Sequence, residues 1–85
     1  MRFQAALTKE QGVTFAVVSV KQHALNPGTR DDTCASFEPV FGVPIVLMAQ
    51  DSRGRPTYYG PPNIVRFLKN VPIEALPWKE WTVAA

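Results

Sequence analysis

The sequence predicts a single α+β domain over residues 1–85, with the element order β-β-α-β-β-α and an optional terminal strand. Two helices are expected to cover one face of one antiparallel or mixed sheet. Two runs of β-branched and apolar residues, Val13–Lys21 and Val43–Asp51, have the composition of buried strands. Apolar residues recur at helical spacing between Ile64 and Val71. A chain of 85 residues is long enough for one hydrophobic core and too short for two.

The first segment is open to two interpretations. Arg2–Leu7 has the composition of a strand and is followed by a polar turn that closes at Gly12. A helix over Phe3–Gln11 competes, because most of these residues are good helix formers and a glycine follows them as a C-cap. Composition alone does not decide between a strand and a helix here.

A loop with an Asn-Pro-Gly turn precedes the first predicted helix. Thr29 is expected to cap this helix with its side chain. Asp31 and Asp32 follow it and suit the positive end of the helix dipole. Pro39 is expected to end or distort the helix early, because proline removes a backbone donor.

The second half of the chain is divided by its prolines and glycines. A turn around Gly54 is expected to lead into a short edge strand at Pro56–Tyr59. Gly60–Asn63 then leads into the second helix, which Pro72 stops. The tail, Ile73–Ala85, is predicted to be either a final short strand or an irregular segment held by buried indole rings.

Apolar residues make up 46% of the chain and charged residues 19%, which is typical of a folded domain rather than a disordered one. The predicted core is Phe15, Val17, Phe37, Ile45, Leu47, Ile64, Phe67 and Leu68.

Cysteine content and hydropathy bear on the compartment. A single cysteine excludes an intrachain disulfide and therefore a secreted disulfide framework. No apolar run approaches the length of a membrane span. The cytoplasm is the expected compartment, and no membrane association is expected. The formal net charge of +2 is too small to identify a partner.

No catalytic, cofactor-binding or metal-binding residue is predicted, and the chain is expected not to be an enzyme. Cys34 lies near a helix start, which favours a thiolate, but Asp31 and Asp32 oppose one, so a core position is the simpler interpretation. His23 is the only histidine, so the usual cysteine and histidine ligands of zinc cannot be assembled. Glycine-rich phosphate-binding motifs are missing, so no small-molecule cofactor is expected.

Basic and aromatic residues of the second hairpin and the following helix are candidates for partner binding. Together they could contact phosphates and offer a ring for base stacking, which makes nucleic acid a possible partner. These candidates are Arg53, Arg55, Tyr59 and Arg66, with Tyr58 as the alternative ring and Lys69 as a further cation.

A protein partner or a second copy of the chain is the other expected class of partner. Trp78 and Trp81 are the candidate anchors, since tryptophan dominates interface energetics, although a small domain also closes its core with terminal aromatic rings. The predicted edge strand at Arg55–Tyr59 could also be extended by a strand of another chain. A non-enzymatic protein-binding or self-associating accessory module therefore ranks first, nucleic-acid binding second and a thiol-dependent enzyme third.

The segment Gly42–Met48, the turn after it, Tyr58-Tyr59-Gly60 and the amphipathic helix resemble the second half of thioredoxin-like and glutaredoxin-like domains. The resemblance implies a Val-Pro strand, a hairpin and a covering helix in that order. It implies no redox activity, because the Cys-x-x-Cys motif of those enzymes is absent. Taken whole, the chain resembles short bacterial proteins of unassigned function, and this resemblance implies no activity.

Overall fold

The computed structural model describes residues 2–10 and 12–83. This part of the chain forms five strands and two α-helices, joined by turns and two short 3₁₀ segments. In chain order they are β1 (Arg2–Glu10), β2 (Val13–Ser19), a 3₁₀ segment (Gln22–Leu25), α1 (Arg30–Phe41), β3 (Ile45–Gln50), β4 (Pro56–Tyr59), α2 (Pro62–Leu68), a 3₁₀ segment (Ile73–Ala75) and β5 (Trp78–Thr82).

All five strands belong to one mixed sheet with the order β4-β3-β2-β1-β5. The central pair, β2 and β3, is parallel, and every other neighbouring pair is antiparallel. The predicted small α+β domain with a single mixed sheet is confirmed. The first segment is a strand rather than a helix, because β1 pairs with β2 on one side and with β5 on the other, and such pairing outweighs local helix propensity.

The two helices cover opposite faces of the sheet, so the prediction that both cover one face is wrong. On one face α1 packs Phe37 against a cluster that includes Val18 and Leu47; we call this the α1 face. On the other, α2 packs Leu68 against a cluster that includes Val17; we call this the α2 face. The central strands are apolar at consecutive positions, so both of their faces need cover.

The ends of α1 differ from expectation at two residues. Thr29 occupies the N-cap position, but its hydroxyl contacts the carbonyl oxygens of His23 and Asn26 and makes no cap hydrogen bond to the helix. Pro39 lies inside the helix, which continues to Phe41. Loss of one backbone donor does not end α1, because the ring of Phe41 packs against the sheet through Phe3 and Trp81.

The predicted core residues are buried, with the exception of Phe67. The ring of Phe67 is partly buried and meets the ring of Phe15 edge-on, with the centroids 6.4 Å apart. It closes the rim of the core on the α2 face.

Gly60 lies where the chain leaves β4 and passes close to β3. A Cβ atom at this position would lie 2.9 Å from the carbonyl oxygen of Ile45 and 3.1 Å from the Cα atom of Val46. We expect Gly60→Ala to lower the free energy of unfolding by about 1–3 kcal/mol, because backbone atoms must shift to admit the methyl group. Urea denaturation measures this change.

Gly28→Ala is the matched control for the same experiment. A Cβ atom at Gly28 would meet no atom within 4 Å, and the backbone there does not have the positive φ that favours glycine. Its unfolding midpoint should stay close to that of the unchanged protein. Equal midpoints for the two variants would contradict the close approach at Gly60.

Candidate protein-binding edge

The sheet has two outer strands, β4 and β5, and they differ in how open they are. β4 has four residues and begins at Pro56, which has no backbone donor, and it also contacts α2. β5 has five residues, pairs with β1 on one side, and has no neighbouring strand on the other within the described chain. An edge of this kind presents a row of N–H and C=O groups to a partner strand.

The direction of the backbone groups in β5 follows from its hydrogen bonds. The N–H of Trp78 donates to the carbonyl oxygen of Leu76 at 2.8 Å, so it does not bond to β1. Hydrogen-bonded and non-hydrogen-bonded positions alternate along an antiparallel ladder. Lys79 and Trp81 are therefore the residues that exchange bonds with β1. Glu80, which lies between them, directs its N–H and C=O away from the sheet.

The hairpin of β1 and β2 leads to the same assignment independently. The N–H of Ala16 donates to the carbonyl oxygen of Pro44 at 3.0 Å, on the β3 side of β2, so the next residue, Val17, bonds to its register partner Ala6 in β1. Alternation along β1 then leaves Phe3 and Ala5 as the residues that bond to β5. These are the register partners of the inward-directed residues of β5, so Thr82 also directs its backbone groups outward.

The two tryptophans lie at β5 on opposite faces of the sheet. Trp78 packs on the α2 face, where its indole N–H donates to the carbonyl oxygen of Ile73 at 2.8 Å. Trp81 packs on the α1 face, where its indole N–H donates to the carbonyl oxygen of Ala5 at 3.2 Å and its ring meets Phe41. Both indole rings are partly buried. Because they lie on opposite faces of the sheet, they flank the edge and do not form one patch.

Two charged residues between the tryptophans were not among the sequence-predicted candidates. Lys79 lies on the α1 face, with its ammonium nitrogen 5.2 Å from the ring centroid of Trp81. Glu80 lies on the α2 face, where its carboxylate is 3.8 Å from the guanidinium of Arg2. The Glu80 side chain is 55% exposed, and a surface pair of this kind is weak, so its charge stays available. Sequence alternation assigns these faces once Trp78–Thr82 is known to be a strand.

A cavity of about 280 Å³ lies beside Trp78 on the α2 side of the sheet. Its wall includes Gln4, Ile73 and Glu74, and among residues 2–10 and 12–83 only Glu74 brings a charge to it. Glu74 therefore adds a second carboxylate to the face of the sheet on which Glu80 lies.

Arg53 and Arg55 lie in the turn between β3 and β4, where Asp51 organises the backbone. One carboxylate oxygen of Asp51 accepts the N–H groups of Arg53 at 2.8 Å and Arg55 at 2.9 Å. The other accepts the Nε–H of Arg55 at 3.2 Å. The backbone hydrogen bond from Arg55 is the main cause that lowers the pKa of Asp51. Arg55 therefore forms a surface ion pair with Asp51, and 70% of the Arg55 side chain stays exposed.

Tyr59 and Arg66 do not come together. Tyr59 packs on the α1 face, its hydroxyl donates to the carboxylate of Asp31, and the guanidinium carbon of Arg30 lies 4.3 Å from its ring centroid. The hydrogen bond to Asp31 raises the pKa of Tyr59. Arg66 belongs to α2, which covers the other face. The alternative ring, Tyr58, packs on the α2 face among the apolar residues.

Cys34 lines an open groove of about 640 Å³ between α1 and the start of β3. Burial, and then the negative charges of Asp31 and Glu38, raise the pKa of its thiol. A raised pKa keeps the group protonated at neutral pH, and the protonated thiol is a poor nucleophile. The groove therefore does not activate the cysteine.

Among residues 2–10 and 12–83, no three histidine, cysteine, aspartate or glutamate side chains are grouped so that they could hold a metal ion. In the same part of the chain, no helix has the length and apolar character needed to cross a membrane.

No family model, no curated protein and no solved structure matches the chain.

The electrostatic effect on Cys34 is testable by alkylation. We expect Asp31→Asn to lower the pKa of the thiol, because the variant removes a negative charge that disfavours the thiolate. The rate of reaction with iodoacetamide against pH measures this pKa. Asp32→Asn removes an equal charge that is not among the causes of the raised pKa, so its profile should lie closer to that of the unchanged protein. Identical profiles for the two variants would contradict the assignment.

Proposed function

We propose that this chain is a non-enzymatic protein-binding module that accepts an extended segment of its partner as a new strand on β5. The observation that carries the proposal is the outer side of β5, where Glu80 and Thr82 direct backbone N–H and C=O groups away from the sheet. Strand addition satisfies such groups through main-chain hydrogen bonds and takes its specificity from the side chains that meet across the new pair.

The surroundings of this edge favour binding without large reorganisation. The indole rings of Trp78 and Trp81 are each held by a hydrogen bond to a backbone carbonyl. Side chains that are ordered before association lose less conformational entropy on binding. Each main-chain hydrogen bond adds a net binding free energy of only about 1 kcal/mol, which is too little for a short strand alone. Apolar contact between the partner and one indole ring on each face adds to this binding free energy.

The two alternative functions have weaker support. For nucleic-acid binding, Arg55 is paired with Asp51, and the ring of Tyr59 already has the guanidinium of Arg30 over it. For a thiol-dependent enzyme, the pKa of Cys34 is raised, which opposes a thiolate at neutral pH. Each arrangement therefore engages or deactivates one group that the alternative function would use.

Glu80→Pro tests the proposal at a single backbone atom. Proline removes the outward-directed N–H of residue 80, and the bonds that Lys79 and Trp81 make to β1 remain. We expect this variant to fold and to lose partner proteins that the unchanged chain retains in nuclease-treated lysate of its source organism. Quantitative mass spectrometry of the captured proteins measures the loss, and urea denaturation checks the folding.

Two controls separate the backbone from the side chain. Glu80→Ala keeps the N–H group and should retain much more of the partner than Glu80→Pro, while Lys79→Pro removes a bond to β1 and should lower the free energy of unfolding. Retention of the same proteins by Glu80→Pro would disprove strand addition. Loss of all captured proteins after nuclease treatment would favour nucleic acid instead.

A further inference from the structure

We infer that the segment added to β5 belongs to a different protein and carries an acidic residue opposite Lys79 and a basic residue opposite Glu80. We assign it the antiparallel direction, because antiparallel pairing is the more stable per residue. This inference rests on the proposed function, and it names the chemistry of the partner strand.

The two charges of β5 lie on different faces of the sheet. Lys79 pairs in register with Ala5 on the α1 face, and Glu80 pairs with Gln4 on the α2 face. Residues that lie directly opposite each other in an antiparallel pair project on the same face, where opposite charges stabilise and like charges destabilise the pair. A complementary strand therefore has an acid on the α1 face and a base on the α2 face, at adjacent positions.

The other charges around the edge act in both directions. On the α2 face, Glu74 adds a carboxylate beside Trp78, whereas Arg2, with 74% of its side chain exposed and 3.8 Å from Glu80, offsets part of this negative charge. On the α1 face, the cation of Lys79 is held near the ring of Trp81. A strand with the opposite charge order would place like charges together on both faces.

A second copy of this chain cannot match both the charges and the hydrogen-bond directions of β5. Its charges match only if Lys79 of one copy lies opposite Glu80 of the other. Lys79, however, directs its backbone groups toward β1, whereas Glu80 directs them outward, and two directly opposite residues must both face the new ladder or both face away from it. The registers that the hydrogen bonds allow place Glu80 opposite Trp78, Glu80 or Thr82 of the second copy, so neither copy's Glu80 meets a base.

A shift of one residue would align the charges but would turn every side chain to the wrong face. In a symmetric pair of β5 strands, the register that pairs the charges is therefore not one that the hydrogen bonds allow. A partner strand of different sequence can satisfy both. Charged residues at sheet edges commonly prevent indiscriminate pairing, and here they also specify a partner.

The order of charges in the partner follows from its direction. In an antiparallel strand, the residue opposite Glu80 precedes the residue opposite Lys79. The partner segment therefore reads base and then acid from its N-terminal to its C-terminal end, within a stretch of residues that favour the extended conformation.

Two peptides of identical composition test the inference. Each consists of alternating threonine and valine around a central pair, which is Lys-Glu in one peptide and Glu-Lys in the other. We titrate them into the ¹⁵N-labelled chain and follow the amide signals of β5. We expect the Lys-Glu peptide to bind about fivefold more tightly at low salt, because opposite charges meet on both faces, and the ratio to fall as salt is added. The double variant Lys79→Glu/Glu80→Lys should reverse the preference.

The outcomes separate this inference from the proposed function. Equal affinity for both peptides, with binding lost in Glu80→Pro, overturns the charge pattern and leaves strand addition standing. No binding of either peptide, or binding that Glu80→Pro does not change, overturns strand addition itself. A dimer of the unmixed chain in sedimentation, absent in Glu80→Pro, overturns the assignment to a different protein.

Discussion

The parallel pairing of β2 and β3 is the constraint on which the rest of the fold depends. Parallel neighbours cannot be joined by a tight turn, so the chain crosses one face of the sheet as α1 before β3 begins. Val17 and Val18, on opposite faces, are both fully buried, so the second face requires α2. The remaining strands are added antiparallel on either side of this pair, which leaves β4 and β5 as the edges.

The candidate site follows from this arrangement through the alternation of residues along β5. One alternation sends backbone groups inward at Lys79 and outward at Glu80, and the same alternation sends their charges to different faces. Hydrogen-bond direction and charge are thus coupled, so an incoming strand has to satisfy both at once. This coupling gives a short edge more selectivity than its length would suggest.

Much of the fold could be predicted from local sequence. Residues close together in sequence predict the strands β2 and β3, through their apolar runs, and the helix α2, through its periodicity. The apolar residues of these three elements are largely buried in the structure. The distribution of the helices could not be predicted in the same way, because it depends on whether β2 and β3 are parallel, which no local pattern encodes. The tryptophans were recognisable as candidates by residue type. Their faces, and the importance of Glu80, depend on a strand register set by β1, which is distant in sequence.

The pairing of β1 with β5 has a consequence for how the molecule is assembled. The indole of Trp81 bonds to the carbonyl of Ala5 across a separation of 76 positions, and the register joins Arg2 to Thr82. Contacts of such separation form late and slowly, because the chain entropy lost on closing the loop must be overcome first. During synthesis on the ribosome, β1 must wait for β5, and the edge of β1 that pairs with β5 stays unpaired until then. The proposed binding edge of β5 therefore forms only after the chain has been translated through β5.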